Sequence, residues 1–294
     1  MITFSKALQI AIKDLNKPII SKFEIFCLAL DISKHGSYQN QQIRQQKIPF
    51  GITKTSNLLN QLLRTHFIFH DPDFPRNHYG IANEIISNCD EVSCLVDPFC
   101  YISHLSAMRK YGLTNRIPEI VILTTATLKL WNQMKIDLER KHLGDYFENP
   151  ERISLKKAVF PEFVRKMKVK RVESKFLHPS IQVKDSHSRI STIGYTFLDM
   201  LDKPDLCGGM PHVIDVWKES AQLYLDEIIE AVDNHPTKII KSRAGYIIDE
   251  VLNINNDRVN KWVEFSQRGG SRLLDPSSPF APKFSEKWMI SINV

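Results

Sequence analysis

The chain of 294 residues has no CxxC pair and no long apolar run. It also lacks the short loops that hold nucleotides or metals: GxGxxG, Walker, HExxH and GxSxG are all absent. No catalytic centre, cofactor or metal site is therefore expected. The five cysteines, Cys27, Cys89, Cys94, Cys100 and Cys207, are odd in number. Their spacings suit neither a disulfide framework nor a zinc knuckle, which points to free thiols in a reducing compartment. The N-terminus Met1-Ile2-Thr3-Phe4-Ser5-Lys6 lacks the apolar core of a secretion signal. No apolar stretch approaches the ~20 residues of a membrane helix, so the expectation is a cytoplasmic protein without membrane contact. Neither an internal repeat nor a low-complexity tract occurs.

Apolar residues make up 43% of the chain, enough to bury a core without disulfides. The length suits one large or two modest domains. Net charge is +6, a mild hint of a polyanionic partner. Between Arg152 and Lys175 stand nine basic residues and two acids, so this stretch holds the whole excess. Lys156, Lys157, Arg165, Lys166, Lys168, Lys170 and Arg171 form a second basic surface suited to phosphate. The plainer alternative is a solvated face that happens to be basic. From Asp215 to Asp233 acids outnumber bases, which makes that helical stretch a poor phosphate binder.

The first 82 residues read as a small helical unit closed by a hairpin. Ile20, Phe23, Phe26, Cys27 and Leu30 recur near a 3.6 period, predicting a helix over Ile19–Lys34 that His35-Gly36 ends. Gln39–Gln46 is a candidate short helix, and Pro49-Phe50-Gly51 a turn. Thr53–Thr65 is a second strong helix with Leu58, Leu59, Leu62 and Leu63 on its buried stripe. Its early hydroxyls, Thr53, Thr55 and Ser56, are candidate caps. Phe67–His70 and His78–Ile81 predict a hairpin around a Pro-containing tip.

This is the order of a winged helix-turn-helix over residues 1–82. A larger, mainly helical α+β domain follows over 83–294, making the whole an α+β protein. In a winged helix the third helix enters the major groove. Thr55, Ser56, Asn57, Asn60, Gln61 and Arg64 are the candidate base-reading residues, because Asn and Gln can pair with adenine and Arg with guanine. Lys54, Arg76 and His78 are candidate backbone contacts. The alternative is that these polar groups only solvate a surface helix, or that the module docks protein.

Beyond residue 97, Asp97-Pro98 suits the start of a helix running to Tyr111. Ile120–Leu123 is β-rich, and Leu128–Leu143 is amphipathic. A strand at Arg189–Ile193 leads into a helix at Tyr195–Leu201. After Gly209 the helices predicted are Val213–Ser220, Leu223–Val232, Thr237–Leu252 and Asp257–Phe265. Asp199, Asp202 and Asp205 form a loose carboxylate group, better suited to a helix surface than to Mg²⁺. His104 between Ser103 and Ser106 lacks an orienting acid, so packing or a buried hydrogen bond is expected rather than a dyad. Gly208-Gly209 suits a tight turn. Arg268 and Arg272 flank Gly269-Gly270-Ser271, where they either grip phosphate or pair with Asp275 and helix carboxylates. Trp217, Trp262 and Trp288 are expected in the core.

Four strings remain that no spacing rule connects. They are Tyr101-Ile102-Ser103-His104-Leu105-Ser106-Ala107-Met108-Arg109-Lys110-Tyr111-Gly112-Leu113-Thr114, Thr196-Phe197-Leu198-Asp199-Met200-Leu201-Asp202-Lys203-Pro204-Asp205-Leu206-Cys207-Gly208-Gly209, Gln267-Arg268-Gly269-Gly270-Ser271-Arg272-Leu273-Leu274-Asp275-Pro276 and Phe284-Ser285-Glu286-Lys287-Trp288. In this order, from Asp97 to Trp288, they resemble the AbiEi antitoxins of type IV toxin–antitoxin systems. The resemblance implies a winged-helix N-terminal domain and a C-terminal domain that confers antitoxin activity. It implies repression of the chain's own promoter through inverted repeats, and opposition to a nucleotidyltransferase-like toxin with or without direct contact. It assigns no catalytic residue, and is compatible with a monomer that binds DNA cooperatively. Two other readings stand beside it: a winged-helix regulator with a ligand-sensing C-terminal domain, and a metal-dependent nucleic-acid enzyme using Asp199, Asp202 or Asp205.

Overall fold

Ser21 decides where the first long predicted helix begins. Its hydroxyl accepts from the Glu24 amide (3.1 Å) while the Glu24 carboxylate accepts from the Ser21 amide (2.9 Å). This capping box satisfies two orphan donors and fixes helix α2 at Lys22–His35. The predicted start at Ile19 is thereby corrected. Ile19–Ser21 is instead strand β1, buried throughout. Gly36 ends α2 in the left-handed region with φ 64°, as expected.

The computed structural model describes residues 1–44, 50–82, 88–267 and 272–294. The protein is a mixed α+β structure. A helix not singled out in the sequence, α1 (Phe4–Asp14), precedes β1. The stretch read as a short helix is a hairpin of β2 (Ser37–Tyr38) and β3 (Gln41–Gln42). Gln39 and Asn40 at its tip both have positive φ, the geometry of a two-residue turn between strands. Residues 45–49, which hold the last two residues of that stretch and Pro49, lie outside the described residues. Helix α3 (Ile52–Arg64) appears as predicted, followed by the hairpin of β4 (Ile68–His70) and β5 (His78–Ile81). Strand β1 pairs antiparallel with β5, giving a three-stranded sheet β1-β5-β4. Leu8, Ile12, Ile20, Ile25, Ile32, Leu58, Leu59, Leu62, Ile68 and Ile81, from the three helices and from β1, β4 and β5, form one core.

The chain forms two compact units that do not coincide with segments 1–82 and 83–294. The first contains 1–100, 125–176 and 183–188; the second contains 101–124, 177–182 and 189–294. In the first unit, helix Leu128–Leu143 follows its predicted bounds. The predicted helix from Asp97 to Tyr111 is not one element. A helix at Cys89–Val96 stops at Asp97, whose buried carboxylate accepts from the Thr125 hydroxyl (2.6 Å), the Trp131 indole (3.1 Å) and the Phe99 amide (3.1 Å). Tyr101–Ile102 is then a short strand, and the helix resumes only at His104–Lys110. The basic stretch contributes a hairpin, Phe163–Val164 with Met167–Ser174.

In the second unit, Ile102 pairs antiparallel with Leu123 and parallel with Ile190, and Ser180–Gln182 pairs antiparallel with Arg189–Ser191. Helices Ile193–Asp202, Met210–Ser220, Leu225–Asn234 and Lys238–Tyr246 pack around Trp217, Trp262 and Trp288, which are buried as expected. The predicted helix to Leu252 ends its regular turns at Tyr246 and continues as a π-turn over Ile247–Val251. A Cβ on Gly194 would lie 2.2 Å from the Glu227 carbonyl, so glycine alone lets these two helices approach so closely.

Candidate nucleic-acid interface

Helix α3 presents two chemically opposite faces. Leu58, Leu59 and Leu62 turn into the core, while Asn57, Asn60, Gln61 and Arg64 are exposed. The four exposed residues lie at i, i+3, i+4 and i+7, so the 3.6 period sets them on one stripe. Ser56 is half-buried at its margin. Thr55 is not available: it is fully buried, and its hydroxyl donates to the Gly51 carbonyl (2.9 Å). Its inclusion among base-reading residues is corrected. The helix also begins without any side-chain cap, so none of the three early hydroxyls serves as one.

Lys54 and His78 are corrected in the same way. The Lys54 ammonium is buried 4.8 Å from the Phe4 ring centre and 5.7 Å from that of Phe50. Burial holds its pKa below the usual lysine value. His78 is only 4% exposed, and burial lowers its pKa despite the opposing pull of Glu24 and Asp71. Neither residue is placed to meet a phosphate. Arg76, at the hairpin tip, is exposed.

The start of α3 is held by a segment the sequence reading did not connect with it. The Ile52 amide donates to the Glu151 carboxylate (3.3 Å), and the Tyr146 hydroxyl donates to the Phe50 carbonyl (2.8 Å). A carboxylate therefore occupies the positive end of the helix.

The basic stretch divides once its contacts are known. Arg165 is consumed internally: its guanidinium donates to both Asp71 and Asp73, and its amide donates to Asp73 (2.9 Å). Burial alone would depress its pKa, but those two carboxylates outweigh it and raise the value. Arg171 lies 4.8 Å over the Phe160 ring, and Phe160 meets Phe74 edge-on at 5.0 Å. The Lys157 ammonium donates to the Ala126 carbonyl (3.3 Å) with Glu173 at 3.8 Å. Placing Arg165, Arg171 and Lys157 on a free basic surface is thereby corrected. Lys156, Lys166, Lys168 and Lys170 are exposed, with Lys168 in a 3.0 Å surface pair with Glu162. Such an exposed pair is weak and screened by salt.

Arg272 does not extend this surface either. Its guanidinium donates to the Ser242 hydroxyl (2.7 Å) and the Phe265 carbonyl (3.3 Å), and burial lowers its pKa. Arg268 and the Gly269-Gly270-Ser271 run lie outside the described residues. The three aspartates of the second string do not converge. Asp205 accepts from Ser277 (2.6 Å), whereas Asp199 is buried and accepts from the His104 amide (3.4 Å), with His178 Nδ1 at 3.3 Å. Burial would raise the Asp199 pKa, but His104 and His178 outweigh it and lower the value. His104 is buried as expected, with Nδ1 2.8 Å from the Ser103 hydroxyl. Among the described residues no group of three or more histidine, cysteine or acidic side chains is arranged to hold a metal. No helix of the described residues is long and apolar enough to cross a membrane.

No protein-family model matches the chain, and a search of curated proteins gave no significant match.

Proposed function

We propose that the chain is an antitoxin of the AbiEi kind that also represses its own promoter, counteracting a nucleotidyltransferase-like toxin. The observation that carries the DNA-binding half is the exposed stripe Asn57, Asn60, Gln61 and Arg64 on α3. It sits in the order helix, strand, helix, hairpin, helix, hairpin; the closing helix and hairpin support a winged-helix reading, and the short β2–β3 hairpin stands where the sequence predicted a helix. In this reading α3 enters the major groove of inverted repeats, and Arg76 meets the backbone from the hairpin. The antitoxin half rests on the four strings from Tyr101 to Trp288. No residue is assigned a catalytic role.

The test is a gel-shift titration against the chain's own upstream region, with a scrambled duplex as control at two salt concentrations. A tight shift specific to the upstream region is expected. Replacing Asn60 and Arg64 together by alanine is expected to abolish it, each good base contact contributing about 1–3 kcal/mol. The same double variant should still neutralise the toxin in cells. Loss of both activities in a folded double variant would overturn this division of labour.

One observation favours a ligand-responsive regulator as the second reading. A mostly apolar cavity of about 300 Å³ in the first unit is lined by Leu15, Phe23, Leu28, Leu138 and Leu155, together with Lys17 and Glu24. A change of operator affinity on adding a small apolar ligand would favour that reading.

A further inference from the structure

The hairpin of the basic stretch carries a feature that duplex recognition does not use. Its register pairs Phe163 with Lys168 and Val164 with Met167. Directly opposed residues of an antiparallel pair share a face, with Cβ atoms about 5 Å apart. Val164 is fully buried, while Met167 opposite it is 39% exposed. Phe163, Lys168 and Lys170 on the other face are exposed, Phe163 to 50%, and Lys168 makes its 3.0 Å surface pair with Glu162 there. Lys166 stands beside it at the tip. Lys168 and Lys170 are two residues apart on an extended strand, a spacing of about 6.6 Å.

The tip of the hairpin is also tied to the β4–β5 loop. Arg165 and Lys166 form its two-residue tip, with φ of 50° and 66°. Both lie in the left-handed region, which side-chain-bearing residues avoid unless their surroundings impose it. A two-residue turn between strands has this geometry, and Arg165 within it is tied to Asp71 and Asp73.

We infer that this face binds single-stranded nucleic acid, with an unpaired base stacked on Phe163 and the backbone phosphates on Lys166, Lys168 and Lys170. A duplex hides its base faces inside the stack, so an exposed ring beside a row of lysines gains from it only charge. A single strand offers both a π-face and closely spaced phosphates. The inference does not depend on α3 reading an operator.

The experiment is fluorescence anisotropy with labelled oligo(dT) and oligo(U) of about 15 nucleotides, against a scrambled duplex. Phe163→Ala is expected to weaken single-strand binding about tenfold and duplex binding no more than about twofold. Phe163→Trp should retain affinity, and its emission should be quenched as the oligonucleotide binds. Replacing Lys166, Lys168 and Lys170 by glutamine should flatten the salt dependence of single-strand binding. The Asn60→Ala/Arg64→Ala variant should keep single-strand affinity while losing the operator, which separates this inference from the repressor reading. Three results would overturn it: no single-strand binding, an equal loss on both substrates in Phe163→Ala, or a hairpin that binds anionic phosphatidylserine vesicles instead of oligonucleotides.

Discussion

The guanidinium of Arg165 lies between two carboxylates of the β4–β5 loop, and one of them, Asp71, is only 1% exposed. Removing one partner of such a buried pair leaves an uncompensated charge, which costs more than the pair contributes. Arg165→Ala is therefore expected to lower stability by about 3 kcal/mol in urea unfolding. Arg165→Lys should recover only part of this, because an ammonium cannot match two carboxylates with a planar fork. Histidines supply a second prediction at this scale. Burial holds both His78 and His104 below the ordinary imidazole pKa of 6.5. The unfolded chain therefore binds more protons below that value. Their stabilising contribution is whole above 6.5 and is lost as pH falls. The urea midpoint should drop between about pH 7.5 and 5.5, and His78→Asn should reduce that drop. An unchanged drop in a folded His78→Asn protein would remove His78 from the account. The residues misjudged from sequence, Lys54, Thr55, His78, Lys157, Arg165, Arg171 and Arg272, share one cause. Each is polar by type, and only its partners show that it points inward.

Elements show what periodicity can and cannot reveal. Helix α3 was legible because a leucine stripe at 3.6 spacing demands one buried face, and Leu128–Leu143 because its apolar and charged residues alternate at helical spacing. The start of α2 was misplaced because β1 and the helix share one apolar run, and the Ser21–Glu24 capping box divides them. The hairpin at 163–174 was not legible at all: it is rich in lysine and lacks the Asn-Gly turn that usually marks such a hairpin. Helix crossings lie beyond periodicity too. Gly194→Ala would drive a methyl group into the Glu227 carbonyl, and a loss of about 2 kcal/mol or more is expected in thermal unfolding. At the start of α3, Glu151→Gln removes a negative charge from the face proposed to meet DNA. It should cost under about 1 kcal/mol of stability while tightening binding to any duplex at low salt, as a gel shift would show.

On the scale of the whole molecule, charge and core are distributed separately. The net charge of +6 comes from one stretch of 24 residues, yet part of that stretch is neutralised or stacked internally. The exposed lysines that remain, with Arg76, set the expected salt dependence of nucleic-acid binding. Replacing Arg76 by alanine should weaken duplex binding uniformly across sequences and reduce the salt slope by about 1. A loss confined to one sequence would instead assign Arg76 to base reading. The sequence by itself determined the α+β class, the polar stripe of α3, the tryptophan core and the location of the excess charge. These follow from composition and from periods of two and 3.6, which act within a few residues of the chain. Only the tertiary structure decided which charges are available to a partner. Arg165 meets Asp71 across 94 residues and Glu151 meets the start of α3 across 99. Pairings at that separation follow from packing geometry and leave no local pattern to read.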